Sequence, residues 1–359
     1  MPARKPDGNL KRGWTTGACA TAATAAAYEA LVTGRFPDAV TITLPRGEEP
    51  RFELCRTGLA PGSATAAVIK DAGDDPDVTH GAEVSVTLRA GTEGSGVTFQ
   101  AGPGVGTVTK PGLPLPPGEP AINPGPRKMM TGVIRDLARR FKGPGDVEIT
   151  VAIRDGEVLA EKTMNGRLGI VGGLSVLGTT GIVIPYSCAS WIHAIHRGVD
   201  VARAGGHDHI AAATGSTSEA AVQALYGLPD MALIDMGDFA GGLLKYLRRH
   251  PVAWLTLAGG FGKLAKLAQG NLDLHSARSS LDMKKLAALV AGDAALADRI
   301  RAANTGMEAL TLAQAAGVAL ADRVAAGARE VALAALAGDV AVEVLVFDRQ
   351  GQLVGRAGG

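Results

Sequence analysis

A chain of 359 residues is long enough for two domains, each with its own core, and its 46% apolar and 20% charged residues match the soluble globular average. A formal net charge of +1 and an aromatic content of 4% give neither the global attraction nor the stacking surface of a nucleic-acid-coating protein. With 49 glycines and frequent alanine runs, packing must rest on small side chains and close backbone approach.

The first ten residues are polar and read as a frayed end. Thr15 and Thr16 supply N-cap hydroxyls for an alanine-rich helix from Ala18 to Val32, which Gly34 stops. Lys11 and Arg12 ahead of that helix resemble a signal peptide in outline. An Ala/Thr stretch carrying Tyr28 and Glu29 is a poor h-region, however, and export is rejected. Strands follow at Ala39–Leu44 and Arg51–Cys55 around a Pro45–Gly47 turn, then a short mixed stretch from Ser63 to Ile69 and a dense turn at Asp71–Asp77. Ala82–Arg89 and Val97–Ala101 alternate at the strand period. Gly102–Lys110 is a glycine-rich loop, a proline-rich connector reaches Pro126, and Met130–Phe141 has the period of an amphipathic helix. Val147–Ile153 and Glu157–Lys162 predict a hairpin about Asp155-Gly156.

From Leu168 to Ile192 no residue is charged, a length that would cross a bilayer. Gly172, Gly173, Gly178, Gly181 and Pro185 break any helix there, so the segment predicts a buried strand-turn-strand and no membrane span. Beyond residue 190 the rhythm changes. Helices at Trp191–Ala204, Ser218–Tyr226, Phe239–Arg249 and Lys263–Ala268 alternate with strands at Ile210–Thr214, Met231–Met236 and Val252–Leu257, the pattern of a parallel sheet with crossover helices. Helices fill most of Leu281–Leu336, and Val342–Phe347 with Gln352–Gly355 close the chain as a hairpin. The fold class is α/β: an N-terminal α+β domain (residues 1–189), then a Rossmann-like three-layer α/β domain with a mainly parallel sheet (residues 190–359).

Loops at the carboxyl ends of the second domain's strands are where ligands sit in open α/β sheets. They read Thr214-Gly215-Ser216-Thr217, Asp235-Met236-Gly237-Asp238 and Gly259-Gly260-Phe261-Gly262-Lys263. Glycines admit a ligand to backbone N–H groups and the carboxylates suit ribose hydroxyls; tight turns with Ser216 and Asp238 as helix caps are the plainer account. No GxGxxG follows the first strand, so the dinucleotide fingerprint is missing. Gly102–Lys110 offers successive amides and ends in a lysine, an anion nest in outline but not a P-loop. Arg127 and Lys128 can meet carboxylates, Arg127 in bidentate fashion, although solvated charges at a helix start are common. Asp74, Asp75 and Asp77 with His80 are a crowded acid cluster able to hold a proton or a hard cation, in a kind of turn that is usually just surface. His193, His196, His207 and His209 lack the convergence a zinc site needs, and no metal ligand is assigned. Cys19, Cys55 and Cys188, scattered and odd in number, fit a reducing, cytoplasmic setting. Ser187 and Cys188 lie in no nucleophile elbow.

The long motifs, taken together, form a pattern. Lys11-Arg12-Gly13-Trp14-Thr15-Thr16-Gly17-Ala18-Cys19-Ala20 is followed by Lys70-Asp71-Ala72-Gly73-Asp74-Asp75-Pro76-Asp77-Val78-Thr79-His80-Gly81 and by Gly104-Val105-Gly106-Thr107-Val108-Thr109-Lys110-Pro111-Gly112-Leu113. Then come Ala121-Ile122-Asn123-Pro124 with Arg127-Lys128-Met129, Thr163-Met164-Asn165-Gly166-Arg167-Leu168-Gly169-Ile170-Val171-Gly172-Gly173, and Leu177-Gly178-Thr179-Thr180-Gly181-Ile182-Val183. In this order they resemble the cobalt-precorrin-5B (C1)-methyltransferase family of anaerobic-type cobalamin biosynthesis. Weaker similarity at Met236–Gly241 and Gly262–Ala268 extends the resemblance over about residues 10 to 280. The third loop departs from it, with Phe261 where the family usually has His and Leu274-His275-Ser276 where it has Thr-His-Ser.

The resemblance implies S-adenosylmethionine as methyl donor and a cobalt-bearing corrin precursor, a small molecule, as acceptor. The expected donor site is Gly215, Ser216, Asp235, Gly237, Asp238, Gly259 and Gly260. Thr15, Thr16, Gly104, Gly106, Lys110, Arg127, Lys128, Thr179 and Thr180 are the expected substrate contacts, and Asp74, Asp75 or His80 would handle a proton. Homo-oligomerisation is left open. The rivals are a phosphoryl-transfer enzyme, with glycine loops as phosphate cradles and the Asp cluster holding Mg²⁺, and a tetrapyrrole carrier without catalysis.

Overall fold

An alanine-rich helix presents little side chain on any face, so it can be buried all round. In the computed structural model, which describes residues 8–358, the first helix runs Thr16–Thr33 with Thr15 as N-cap and a left-handed Gly34 as C-cap, and it is buried from Thr16 through Ala27 and on to Tyr28 and Ala30. Its buried hydroxyls are satisfied within the helix, Thr21 donating to the Gly17 carbonyl at 2.8 Å and Thr24 to Ala20 at 2.7 Å. With the helix Pro124–Phe141 it covers one face of a five-stranded sheet in the order Arg56–Ala60, Ser63–Ile69, Glu83–Ala90, Val147–Ile153, Val97–Ala101. All pairings are antiparallel except the last. This α+β unit ends at Ser187, and a second compact unit begins at Cys188.

Three expectations for the first unit are corrected. Ser63–Ile69 is a regular strand between two partners; its inward residues Ala64 and Ala66 are too small to make the strand period conspicuous. Glu157–Lys162 is not the return of a hairpin, because Val147–Ile153 is already paired on both sides, and Gly156–Ala160 is a helical turn instead. The uncharged run after Leu168 is no buried strand-turn-strand. Its two-residue strands stitch loops together, Ile170–Val171 onto Thr107–Val108, Gly173–Leu174 onto Gly104–Val105, and Ile182–Val183 onto Gly13–Trp14. Val171, Leu177 and Ile184 remain exposed.

In the second unit the sheet order is Leu233–Asp235, His209–Ala213, Trp254–Gly260, Ala341–Phe347, Leu353–Ala357, parallel except for the last strand. Side-chain alternation splits it into two faces. Ile210, Ala212, Leu255, Leu257, Val342 and Val344 meet helices Cys188–Ala204, Ala240–Leu247, Phe261–Ala268 and Leu320–Leu336. Ala211, Ala213, Ala258, Leu345 and Phe347 meet the helix Ser216–Tyr226 on the other side, through Val222. That is the three-layer α/β arrangement, thick on one face and thin on the other. No helix among the described residues is long and apolar enough to cross a membrane.

Glycine at 104 is a backbone requirement. Its φ is +77°, and a Cβ there would lie 1.9 Å from the Ile153 carbonyl oxygen. Gly62 has a similar φ of +72° with open space around it. Gly62→Ala should therefore cost about 1–2 kcal/mol from the left-handed strain alone, whereas Gly104→Ala should cost about 4 kcal/mol or more by adding a backbone clash. Urea unfolding followed by circular dichroism measures both, and equal losses would refute the clash.

Candidate active site

In the second unit the chain leaves His209–Ala213 to one side of the sheet, for Leu233–Asp235, and then crosses to the other side for Trp254–Gly260. The helix after the first of these strands lies on the thin face and the helix after Trp254–Gly260 on the thick face. Adjacent strands whose following helices diverge leave a crevice at their carboxyl ends, the ligand position of doubly wound sheets. Gly215, Ser216 and Gly260 sit on its two sides. Neither Gly215 nor Gly260 nor Gly262 has any heavy atom within 4 Å of the position a Cβ would take, so backbone there is open to a ligand. Neither helix start carries a side-chain cap, which leaves first-turn amides for an acceptor.

The other donor-site candidates shape this rim. A Cβ on Gly259 would meet the Thr214 side chain at 2.8 Å, so that glycine closes the gap between the two loops. Gly237 adopts φ +53° over the indole of Trp191, whose Nε1 donates to the Asp235 carbonyl at 3.3 Å. Ser216 and Asp238 are not caps: Gly215 and Phe239 hold those positions, and the Asp238 carboxylate accepts from Lys263. Lys263 stands in the third loop yet was not assigned from sequence; a lysine in the first turn after a Gly-Gly strand end is the signal that could have found it. Phe261, the departure in that loop, is wholly buried in the core.

In the first unit the two Thr-Thr-Gly motifs meet. Thr15 N donates to Gly181 O at 2.9 Å and Gly17 N to Leu177 O at 2.8 Å. Gly178 leaves room for the Thr15 hydroxyl, which a Cβ would overlap at 2.1 Å. Gly125, in the first turn of the helix that carries Lys128, packs on Gly178 and Thr179. Thr15, Thr16, Thr179, Thr180 and Lys128 are thus brought into one region, with Leu177 exposed beside them. The Asp turn joins it through Lys11, whose amide donates to Asp74 Oδ2 at 2.6 Å and whose ammonium pairs with Asp71 at 2.6 Å.

Within that turn the carboxylates have different roles. Asp75 Oδ1 accepts the Tyr186 amide at 2.7 Å and pins that tyrosine at φ +56°, a left-handed conformation unusual for a bulky residue. His80 is about half exposed, and its Nδ1 accepts the Ala72 amide at 3.1 Å. With Nδ1 accepting, the other ring nitrogen, Nε2, is the one left to act as a donor. Asp77 is the most enclosed: Lys70, itself 1% exposed, pairs with it at 2.5 Å, and Thr79 donates to it from both amide and hydroxyl. Burial alone would raise the Asp77 pKa, but the Lys70 charge and these hydrogen bonds outweigh it and hold the carboxyl below the ordinary 3.8. Burial pushes the Cys19 thiol up to about 12, which removes it as a nucleophile.

The expected anion nest is corrected. Gly104 N donates to Glu157 at 2.6 Å, Gly106 N to Leu174 O at 2.9 Å, Val108 N to Glu119 O at 2.9 Å and Thr109 N to Gly169 O at 2.7 Å, so these amides are committed inside the protein. Lys110 stays exposed, its stem against Gly169. Arg127 is largely engaged as well, bonded to Ile122 O, Pro120 O and Glu119 and lying over the Phe99 ring.

An α+β unit and a three-layer α/β unit with an open crevice at its strand ends make this an α/β protein with a candidate ligand site. The chain belongs to the CbiD family: the family model described as CbiD matches residues 3–185, and that described as CbiD, C-terminal domain matches residues 273–358. A cobalt-precorrin-5B C(1)-methyltransferase from Brucella anthropi is 57% identical over 351 residues, covering 97% of this chain and 95% of that protein. One from Bradyrhizobium sp. is 59% identical, with 97% and 93% covered. A crystal structure of the cobalamin biosynthesis protein cbiD from Archaeoglobus fulgidus is 24% identical, covers 87% of this chain and 86% of that one, and has a TM-score of 0.40.

The Lys70–Asp77 pair gives a pH-dependent prediction. A carboxyl with a lowered folded pKa contributes stability above its unfolded value, and that contribution is lost as the pH falls through the folded value. Asp77→Asn should cost about 3–5 kcal/mol at pH 7 by leaving a buried lysine without its counter-charge. Below about pH 3.8 the gap between wild type and variant should narrow. Urea midpoints at pH 7, 5 and 3 check this; a gap that does not change with pH means that Asp77 ionisation is not what holds the turn.

Proposed function

We propose that this protein transfers a methyl group from S-adenosylmethionine to C1 of cobalt-precorrin-5B in corrin ring synthesis. The observation that carries the reading is the 57–59% identity, over 97% of the chain, to proteins bearing that activity as their name. The crevice of the second unit fits a nucleoside-type donor, since open backbone at Gly215 and Gly260 and the Asp235 loop offer amides and a carboxylate to one ligand. When bound, the donor supplies a methyl group already activated by its sulfonium.

The work left to the chain is positioning, exclusion of water and management of a proton. Gly215, Ser216, Asp235, Asp238 and Gly260 hold the donor, with Gly237 and Gly259 fixing the shape of their loops. Thr15, Thr179, Thr180, Lys110 and Lys128 receive the acidic side chains of the acceptor, with the buried Thr16 and the engaged Arg127 supporting them. Gly104 and Gly106 act on shape and not through their amides. Asp75 or Asp74 takes the proton, while His80, with its outward Nε2–H, serves as hydrogen-bond donor to the acceptor.

Incubating the protein with S-adenosylmethionine and the cobalt-corrin precursor should give a product heavier by one methyl group in mass spectrometry. Precursor binding without that increment would make the protein a carrier instead. Asp75→Asn keeps an oxygen for the Tyr186 amide but cannot take a proton. Its kcat should fall about 10²–10⁴-fold with KM little changed, and an unchanged kcat removes Asp75 from proton transfer.

A further inference from the structure

The rim of the crevice carries an ion pair that joins two of its loops. Lys263, in the first turn after Trp254–Gly260, is joined to Asp238 in the loop after Leu233–Asp235. Their side chains are 35% and 16% exposed. Neighbouring charges have separate structural duties: Lys266 donates to the Leu274 carbonyl at 3.1 Å, and Asp273 pairs with Arg278 at 2.9 Å. Asp238 and Lys263 hold each other, beside the open backbone of Gly260 and Gly262.

The sign pattern selects among ligands. A phosphate at this rim would gain Lys263 but meet the Asp238 carboxylate, and an uncharged nucleoside could offer the pair only neutral hydroxyls. Neutral ribose hydroxyls could bond to either residue only weakly, whereas an amino-acid group carries an ammonium and a carboxylate one carbon apart and can meet both members of an ion pair with opposite full charges. One charge-assisted contact within the protein is then replaced by two with the ligand.

The geometry points to the Lys263–Asp238 pair as the recognition element for the amino-acid end of the methyl donor, Lys263 taking its α-carboxylate and Asp238 its α-ammonium. This rests on the crevice being the donor site. The two residues set specificity for a methionyl-bearing nucleoside against nucleotides, and they touch no reacting atom.

Calorimetric titration of the full-length protein with S-adenosylhomocysteine, 5′-methylthioadenosine and ATP tests it, the second probe lacking the amino-acid group. Lys263→Met should weaken S-adenosylhomocysteine about 10- to 100-fold and change 5′-methylthioadenosine by less than about twofold. Asp238→Asn should weaken S-adenosylhomocysteine in the same selective way. The charge-reversed double variant Lys263→Asp, Asp238→Lys can keep an ion pair for folding, should hold a wild-type melting temperature, and should still bind S-adenosylhomocysteine weakly, since both charges then face their like. ATP should bind wild type worse than S-adenosylhomocysteine. Equal losses for the two nucleosides, or a Lys263→Met protein that binds S-adenosylhomocysteine as wild type does, overturn the pair's role while leaving the donor site standing. A wild type that takes up neither nucleoside overturns the donor site and the proposal together.

Discussion

Backbone against backbone is the constraint on which the first unit depends. The Lys11–Gly17 segment lies between the Asp turn and the Leu177–Gly181 loop, and at each crossing only hydrogen fits. A Cβ on Gly13 would stand 2.0 Å from the Ala72 carbonyl carbon, one on Gly73 2.2 Å from the Lys11 carbonyl oxygen, and one on Gly17 2.8 Å from the Leu177 carbonyl oxygen. Distances of that order leave no room for side-chain adjustment. Three stretches distant in sequence are therefore locked in register, and the hydroxyls and carboxylates they carry are placed with the precision of the main chain.

The same economy explains why the candidate residues divide between direct and indirect roles. Gly104, Gly106 and Gly259 are needed where they stand for close approach, and Gly237 for its left-handed backbone. Gly215 and Gly260 differ because the space above them is open. A glycine-rich motif has one appearance in sequence and two meanings in structure, according to whether the vacated volume is filled by the protein or left for a ligand.

Much of the fold was legible in the residues. The Thr15 cap and Gly34 stop of the first helix, the strands Val97–Ala101 and Val147–Ile153, and the alternation of strands and helices after residue 200 all follow from local chemistry that the structure retains. The candidate residues stand out in sequence as motifs, but nothing in those motifs shows that Trp14–Gly17 and Gly178–Gly181 meet. Which donors remained available was not legible. Arg127 looks free in sequence and is enclosed by Ile122, Pro120 and Glu119, and Asp77 proves to be the carboxylate paired with the buried Lys70. Hydrogen-bond partners far apart in sequence decide such matters, and spacing does not encode them. The family match also reaches Gly358, well past residue 280 where the motif resemblance fades.

The loops that line the crevice are readable in the residues, but the reversal of strand order that opens it has a further cause. Parallel crossovers are right-handed, so the face on which a connecting helix packs fixes the direction in which the next strand is added. Ser216–Tyr226 buries little more than Ser218 and Val222 and suits the thin face of Ala211 and Ala213, whereas Ala240–Leu247 buries Leu243, Leu244 and Leu247 and belongs on the thick one. Opposite faces require opposite directions, and the reversal opens the sheet edge between Ala213 and Gly260. The position of the crevice thus follows from an imbalance of apolar bulk between two helices.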